Sequence, residues 1–160
     1  MQKNGAKVCV TIVLTHFKNN KSRNMENLQA RELRIGNLIG WYEPNQELLP
    51  VNVIGLSSQM IWASVNGTIQ QHHENYQSWK PIPLNIEWLL KFEFIQCEND
   101  QWYELNIPKL GITISCNLHG RIAIEDYKNE MVTIRECCYY LHQLQNLLFA
   151  LTSHEFILNV

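Results

Sequence analysis

The 160-residue sequence lacks any uninterrupted apolar run near the roughly 20 residues that a transmembrane helix needs, so no membrane span is predicted. It also lacks the simplest signatures of nucleotide-phosphate loops, hydrolase nucleophile elbows and helical zinc-protease sites, which are GxGxxG, GxxxxGKS/T, GxSxG and HExxH. These absences favour a binding protein over an enzyme. No catalytic residue, metal or cofactor is predicted.

Cysteine is present, but not in patterns that build a scaffold. The five cysteines are an odd number, two of them are adjacent, and none forms a CxxC pair. A disulfide framework needs paired cysteines, and a zinc knuckle needs closely spaced ones. Free thiols and a cytoplasmic location are therefore predicted.

The sequence has little excess charge of either sign, but the charge is unevenly distributed. The chain contains 13 basic and 15 acidic residues, a net charge of −2. Residues 1–24 contain five basic residues and no acid, so residues 25–160 contain eight basic and 15 acidic residues and carry −7. Nonspecific nucleic-acid binding needs an excess of Lys and Arg, so the larger region is not expected to coat phosphates.

Residues 1–24 form a basic N-terminal extension with three interpretations. A basic start before the apolar segment 8–14 resembles a signal peptide, but this core is short and residues 17–20 offer no small-residue cleavage site. The β-branched residues of 8–14 also suit an added edge strand. Alternatively, Met25 is the working start codon and the preceding residues are translated leader. Residues 25–160 are expected to form a single compact unit.

Residues 33–80 predict several short strands separated by turn residues. Candidate strands at 34–42, 51–55, 60–65 and 68–71 are separated by turn-forming residues. Among these, Asn66-Gly67 is a strong hairpin signal. Parallel strands would need crossovers of a dozen or more residues, which this spacing does not allow. We therefore predict a small SH3-like barrel or a curled antiparallel meander for this half.

Residues 84–160 predict a mostly antiparallel sheet packed by two helices, which makes the fold class α+β. Asn85 is placed to cap a short helix that stops near Phe92. Four strands are then predicted, at 94–97, 102–105, 111–115 and 121–124, the first two joined by a polar turn at 98–101. A closing strand is predicted over 155–158.

The C-terminal helix has the strongest periodicity in the chain. Apolar residues repeat at spacings of 4, 3, 4 and 3 and define one seam: Cys137, Leu141, Leu144, Leu148 and Leu151. The stretch 133–136 fits a capping box at its start. Residues 131–134 equally fit a strand, in which case the helix begins near Cys138.

Candidate chemistry is sparse. Cys138 and His142 stand four apart and would share one helix face, as half of a metal site or as a nucleophile pair, with His72 and His73 as further ligands. A metal site needs three or four convergent ligands, and cysteine is commonly a small core residue, so this site is not favoured. Two acidic pairs are interpreted as turn and surface charges: Glu98 with Asp100, and Glu125 with Asp126.

The aromatic residues are the remaining candidates for function. They cannot all face one core, because neighbours on a strand point to opposite sides. Exposed aromatic clusters are typical of protein-binding hot spots or base-stacking platforms. Six are predicted to bind a partner: Trp41, Tyr42, Trp62, Trp79, Trp102 and Tyr103.

Three segments resemble, in order, a family of small uncharacterised proteins carried by bacterial phages and integrated elements: LRIGNLI, PIPLNIEWLLKFEF and HQLQNLLFALTSHE. The resemblance spans about 33–157 and omits 1–24. It implies no catalytic residue. It does imply a genomic setting, the bacterial host cytoplasm, in which small accessory proteins often disable host defence machinery, including RNA-guided CRISPR nucleases.

Three hypotheses follow. The favoured one is a non-enzymatic, anti-CRISPR-like inhibitor whose acidic, aromatic-bearing surface binds a host defence protein, such as a CRISPR effector or its guide-RNA complex. The second is a small RNA- or nucleotide-binding module that uses the basic extension as an electrostatic arm. The third is an enzyme with a site around Cys138 and His142. Neither a membrane nor direct nucleic-acid binding is favoured.

Overall fold

A computed structural model describes residues 28–42, 47–98, 101–126, 131–134 and 138–155, with only the backbone described for 131–134. The predicted extension 1–24, the Met25 start and the strand at 155–158 beyond its first residue lie outside these ranges. Within them, no helix is both long and apolar enough to cross a membrane.

The first half is a curled, five-stranded antiparallel sheet with strand order β4-β3-β2-β1-β5. Its strands are β1 (Leu38–Trp41), β2 (Leu49–Leu56), β3 (Met60–Val65), β4 (Thr68–His73) and β5 (Trp79–Lys80). A register shift between Val53 and Gly55 marks a bulge in β2, and bulges bend and twist a strand. The predicted curled meander is confirmed.

The Asn66-Gly67 turn joins β3 to β4 as predicted. Both residues have positive φ, 49° and 76°, which is the conformation that a type I′ hairpin requires. The turn sets the register, with Val65 opposite Thr68. A Cβ on Gly67 would meet no atom within 4 Å, so the glycine is needed for its backbone conformation and not for space.

The second half is an antiparallel meander with strand order β10-β9-β8-β7-β6. Its strands are β6 (Ile95–Gln96), β7 (Trp102–Ile107), β8 (Ile112–Asn117), β9 (Ile122–Asp126) and β10 (Met131–Ile134). Helices α1 (Ile86–Lys91) and α2 (Leu141–Thr152) pack on it, and a short 3-10 helix spans Ala30–Glu32. The α+β class and the four predicted strands of this half are confirmed.

Helix α1 begins where its cap predicts. The Asn85 side-chain oxygen accepts a hydrogen bond from the Trp88 backbone N–H at 3.0 Å. Trp88 and Leu89 are buried, which anchors the helix to the core. The helix ends at Lys91, and the backbone N–H of its C-cap residue, Phe92, donates to carbonyls of the last turn.

Replacing Asn85 with alanine removes the only side-chain acceptor described at the α1 N-terminus. The substitution is expected to lower the free energy of unfolding by about 1 kcal/mol. Urea unfolding measures this change, and Asn85→Ser should restore most of it because serine also caps helices. Equal stability of the alanine and serine variants would contradict the capping role.

Helix α2 begins later than either predicted start. Residues 138–140 are extended and lie antiparallel to 82–84, with the Leu84 N–H donating to the Tyr139 carbonyl and the Leu141 N–H donating to the Ile82 carbonyl. The Gln143 side chain accepts from the Tyr139 and Tyr140 N–H groups at 2.9 and 3.2 Å. The capping-box prediction at 133–136 is wrong, since 131–134 form β10.

Strand β1 lies between two hydrophobic cores. All four of its residues are buried. Ile39 and Trp41 face the core of the first sheet, whereas Leu38 packs with the second sheet and both helices. On α2, the predicted seam is confirmed at three fully buried leucines, namely Leu141, Leu144 and Leu148, while Cys137 lies outside the described residues.

Candidate functional site

The six aromatic residues predicted to bind a partner have different exposures. Trp41, Trp79 and Tyr103 are buried, with 7%, 1% and 2% of their surface exposed. Tyr42 is 43% exposed. Trp62 and Trp102 are half-buried.

Trp79 and Tyr103 are core residues in this fold, so neither is exposed in the structure. Tyr103 lies opposite Cys116 in the β7–β8 register and belongs to the buried face of the second sheet. Trp79 packs inside the first sheet. Large aromatics are commonly used to fill cores, and side chains this deep do not reach a partner.

Trp62 and Trp102 lie on outward faces of different sheets. Trp62 packs over Gly55, where an added Cβ would come within 3.4 Å of it. Trp102 on β7 lies opposite Asn117 on β8. Tyr103 and Leu105 face inward on β7, so Trp102, which alternates with them, faces outward. These two tryptophans do not join the other predicted residues in one site.

Four rings converge at one end of the curled first sheet, and we call them the aromatic cluster: Trp41, His72, Tyr76 and Trp79. Trp41 and Trp79 meet edge to face with centroids 4.8 Å apart. His72 and Tyr76 stack at 3.9 Å with an interplanar angle of 8°. The Trp41 ring lies 5.7 Å from His72 and 5.9 Å from Tyr76, so each ring supports the others.

The curl of the sheet brings the cluster together. His72 is on β4 and Trp79 on β5, the two opposite edges of the sheet, yet their rings are 6.0 Å apart. Trp41 on β1 lies directly opposite Trp79 in the β1–β5 register. The cluster therefore depends on sheet curvature and joins residues far apart in the sequence.

Backbone hydrogen bonds hold the segment that carries Tyr76. The Tyr76 N–H donates to the His73 carbonyl at 2.8 Å, and the Trp79 N–H donates to the Tyr76 carbonyl at 3.0 Å. The Tyr42 N–H donates to the Ser78 carbonyl at 2.8 Å, which places Tyr42 beside this segment. The Glu74 carboxylate accepts from the Ala30 N–H at 2.6 Å. Backbone hydrogen bonds thus fix the conformation of the segment from which the Tyr76 ring projects.

The exposed part of the site is aromatic. Tyr76 is 42% exposed, while Trp41 and Trp79 are buried. His72 Nε2 lies 3.4 Å from Gln70 Oε1. The cluster presents the Tyr76 phenol ring, held against His72 and Trp41, which suits contact with a protein surface or stacking against a flat group.

Cys138 and His142 do not form the predicted pair on one helix. Cys138 precedes α2, and its thiol lies 3.9 Å from the Tyr140 carbonyl. His142 is 2% exposed and stacks on Tyr140 at 5.9 Å. Burial lowers the pKa of His142 to about 4. In the described part of the chain, neither ring nitrogen has a hydrogen-bond partner and no group of three or more potential metal ligands exists.

The acidic pairs also fail to converge. Glu125 and Asp126 are neighbours on β9, so their side chains point to opposite faces of the sheet. Asp100 lies outside the described residues, and Glu98 is exposed. The described geometry offers no pair of carboxylates for acid–base catalysis.

Sequence reasoning missed His72 and Tyr76 as members of the site. The signal for His72 was present, because the two-residue Asn66-Gly67 turn places it opposite the buried Ile61, on the inner face. Nothing comparable identifies Tyr76, which follows β4 in an irregular segment and is placed by tertiary contacts.

No protein-family model, curated protein or solved structure matches this chain.

Proposed function

We propose that the chain is a non-enzymatic inhibitor that binds a host defence protein through the exposed edge of the aromatic cluster. The observation that carries this proposal is the Tyr76 ring, which is 42% exposed, stacks on His72 at 3.9 Å and lies 5.9 Å from the buried Trp41. Tyrosine and tryptophan are enriched among the residues that dominate binding energy in protein interfaces.

Rigidity is the physical advantage of this arrangement. An aromatic side chain that is already stacked and packed loses little conformational freedom when a partner covers it, so more of the contact energy remains as affinity. Tyr76 is held against His72 at 3.9 Å before any partner binds. Tyr42 projects from a backbone bonded to Ser78.

The charge of the chain supports a basic partner. Residues 25–160 carry a net charge of −7, which would accelerate encounter with a positively charged surface. The nucleic-acid channel of an RNA-guided nuclease is such a surface, since it must hold phosphates. An acidic protein seated there excludes guide or target nucleic acid, and inhibition follows without catalysis. The resemblance to phage and mobile-element proteins supports this partner class.

A phage-protection assay tests the proposal. Bacteria with an active RNA-guided defence system should regain sensitivity to a targeted phage when they express the chain. Tyr76→Ala should restore most of the defence, whereas Leu118→Ala, at a residue with a similar exposure of 43% in the turn between β8 and β9, should inhibit like the wild type. Unchanged defence across RNA-guided systems would contradict the proposal.

The stacked His72–Tyr76 pair also favours a second function, binding of single-stranded RNA by base stacking. The −7 charge of residues 25–160 opposes it, because phosphate contacts dominate such affinity. This function predicts salt-sensitive retention of a labelled oligonucleotide, weakened by deletion of residues 1–24. The inhibitor proposal predicts little effect of that deletion on inhibition.

A further inference from the structure

The first sheet has a second unusual surface, distant in the strand order from β5 and Tyr42. Residues 48–73, which include all of β2, β3 and β4, form a stretch of 26 residues without Lys, Arg, Asp or Glu. On its outer face, three apolar residues lie across the three strands: Ile54, 41% exposed, the half-buried Trp62, and Ile69, 65% exposed. Cores of protein interfaces are depleted in charge in the same way.

Strand β4 is also an open edge of this sheet. Among the strands that the structure describes, β4 has six residues and pairs with β3 alone, whereas the opposite edge, β5, has two residues. Natural proteins usually protect long edge strands with charged residues, especially Lys, or with Pro. The β4 sequence, TIQQHH, contains none of these.

The hairpin register shows which backbone groups point away from β3. In a hairpin closed by a two-residue turn, the flanking pair, Val65 and Thr68, is hydrogen-bonded, and the pairs then alternate. Ile69 and Gln71 therefore occupy non-hydrogen-bonded positions opposite Ser64 and Trp62. Their N–H and C=O groups point outward along the open edge.

We propose that β4 pairs antiparallel with β4 of a second copy of this chain and forms a symmetric dimer. With Gln70 on the twofold axis, Ile69 of each copy exchanges two backbone hydrogen bonds with Gln71 of the other, which makes four bonds in total. The two Ile69 side chains become diagonal neighbours on the same face, within reach of one another.

Charge argues for a second copy and against the basic partner of the inhibitor proposal. A basic protein would find no carboxylate on β2, β3 or β4, because residues 48–73 contain none. Two copies of the −7 region repel each other, so self-association is favoured at a surface free of charge. The β4 edge meets that condition and is self-complementary about a twofold axis.

Sedimentation velocity of the full chain over a concentration series tests the dimer. The wild type should shift from 18.8 kDa toward twice that mass as concentration rises. Ile69→Lys and Gln71→Pro should each weaken association at least tenfold. Proline is tolerated at an edge position whose N–H points outward, and Ile69→Lys decides the question if the proline variant does not fold.

Ile95→Lys is the matched control, since Ile95 on β6 is 74% exposed and uncharged like Ile69, and it should leave the dimer intact. A wild type that stays monomeric throughout the series would overturn the proposal. So would a dimer that survives both β4 variants. The measurement involves no defence protein, so its failure is distinct from failure of the inhibitor proposal.

Discussion

Replacing Trp79 with alanine is expected to lower the free energy of unfolding by about 3–5 kcal/mol, the range for removing a fully buried large aromatic side chain. Trp79 is 1% exposed and lies against Trp41 and His72. Its loss leaves a cavity next to the rings of Trp41 and His72, inside the curl of the first sheet. Urea unfolding followed by far-UV circular dichroism measures the change.

Tyr76→Ala provides the contrast within the same cluster. Tyr76 is 42% exposed, so its removal should lower stability by about 1 kcal/mol or less while it weakens partner binding. The two variants separate a core role from a surface role. A Trp79→Ala variant that keeps wild-type stability would show that the sheet does not close around this ring.

Acidification from pH 7 to about 4 is expected to destabilise the protein through His142 by about 3 kcal/mol. Burial lowers the pKa of this histidine in the folded protein to about 4, whereas the unfolded value is 6.5. Between these values the unfolded chain binds a proton that the folded chain does not. The contribution of His142 to the free energy of unfolding is therefore fully present above pH 6.5 and is lost as the pH falls toward 4.

His142→Leu tests this assignment, because leucine fills much of the same space and does not titrate. When the pH falls from 7 to 4, the free energy of unfolding of the wild type should fall by about 3 kcal/mol more than that of the variant. His154→Gln, at an exposed position, should follow the wild-type curve. Parallel pH curves for wild type and His142→Leu would contradict a buried neutral histidine.

Local signals predicted the elements of this fold well. The Asn66-Gly67 turn and the Asn85 cap are determined by residues next to each other in the chain, and both appear in the structure as predicted. Strand alternation likewise predicted most of the second sheet, because one of its faces is buried and the other open.

The start of α2 could not be predicted in the same way. Residues 138–140 fit the N-terminal end of a helical pattern. They remain extended because they hydrogen-bond with residues 82–84, more than 50 positions earlier. A tertiary backbone contact outweighs local helix preference here. Sequence periodicity does not contain that information.

The aromatic site was predicted in part. Trp41 and Trp79 do meet at one end of the first sheet, where they form the buried base of the aromatic cluster. Which aromatic is exposed depends on how far the sheet curls and on what then covers each face. His72 and Tyr76 join the site through contacts between opposite sheet edges, which strand patterns do not specify.

The most direct test of the inhibitor proposal is a binding titration of the purified chain against RNA-guided nuclease complexes. We expect one complex to bind the wild type and Leu118→Ala with equal affinity and to bind Tyr76→Ala at least about 30-fold more weakly, the loss of about 2 kcal/mol that defines a hot-spot residue. Absence of binding, or equal affinities for all three proteins, would contradict a defence-protein inhibitor that acts through the aromatic cluster.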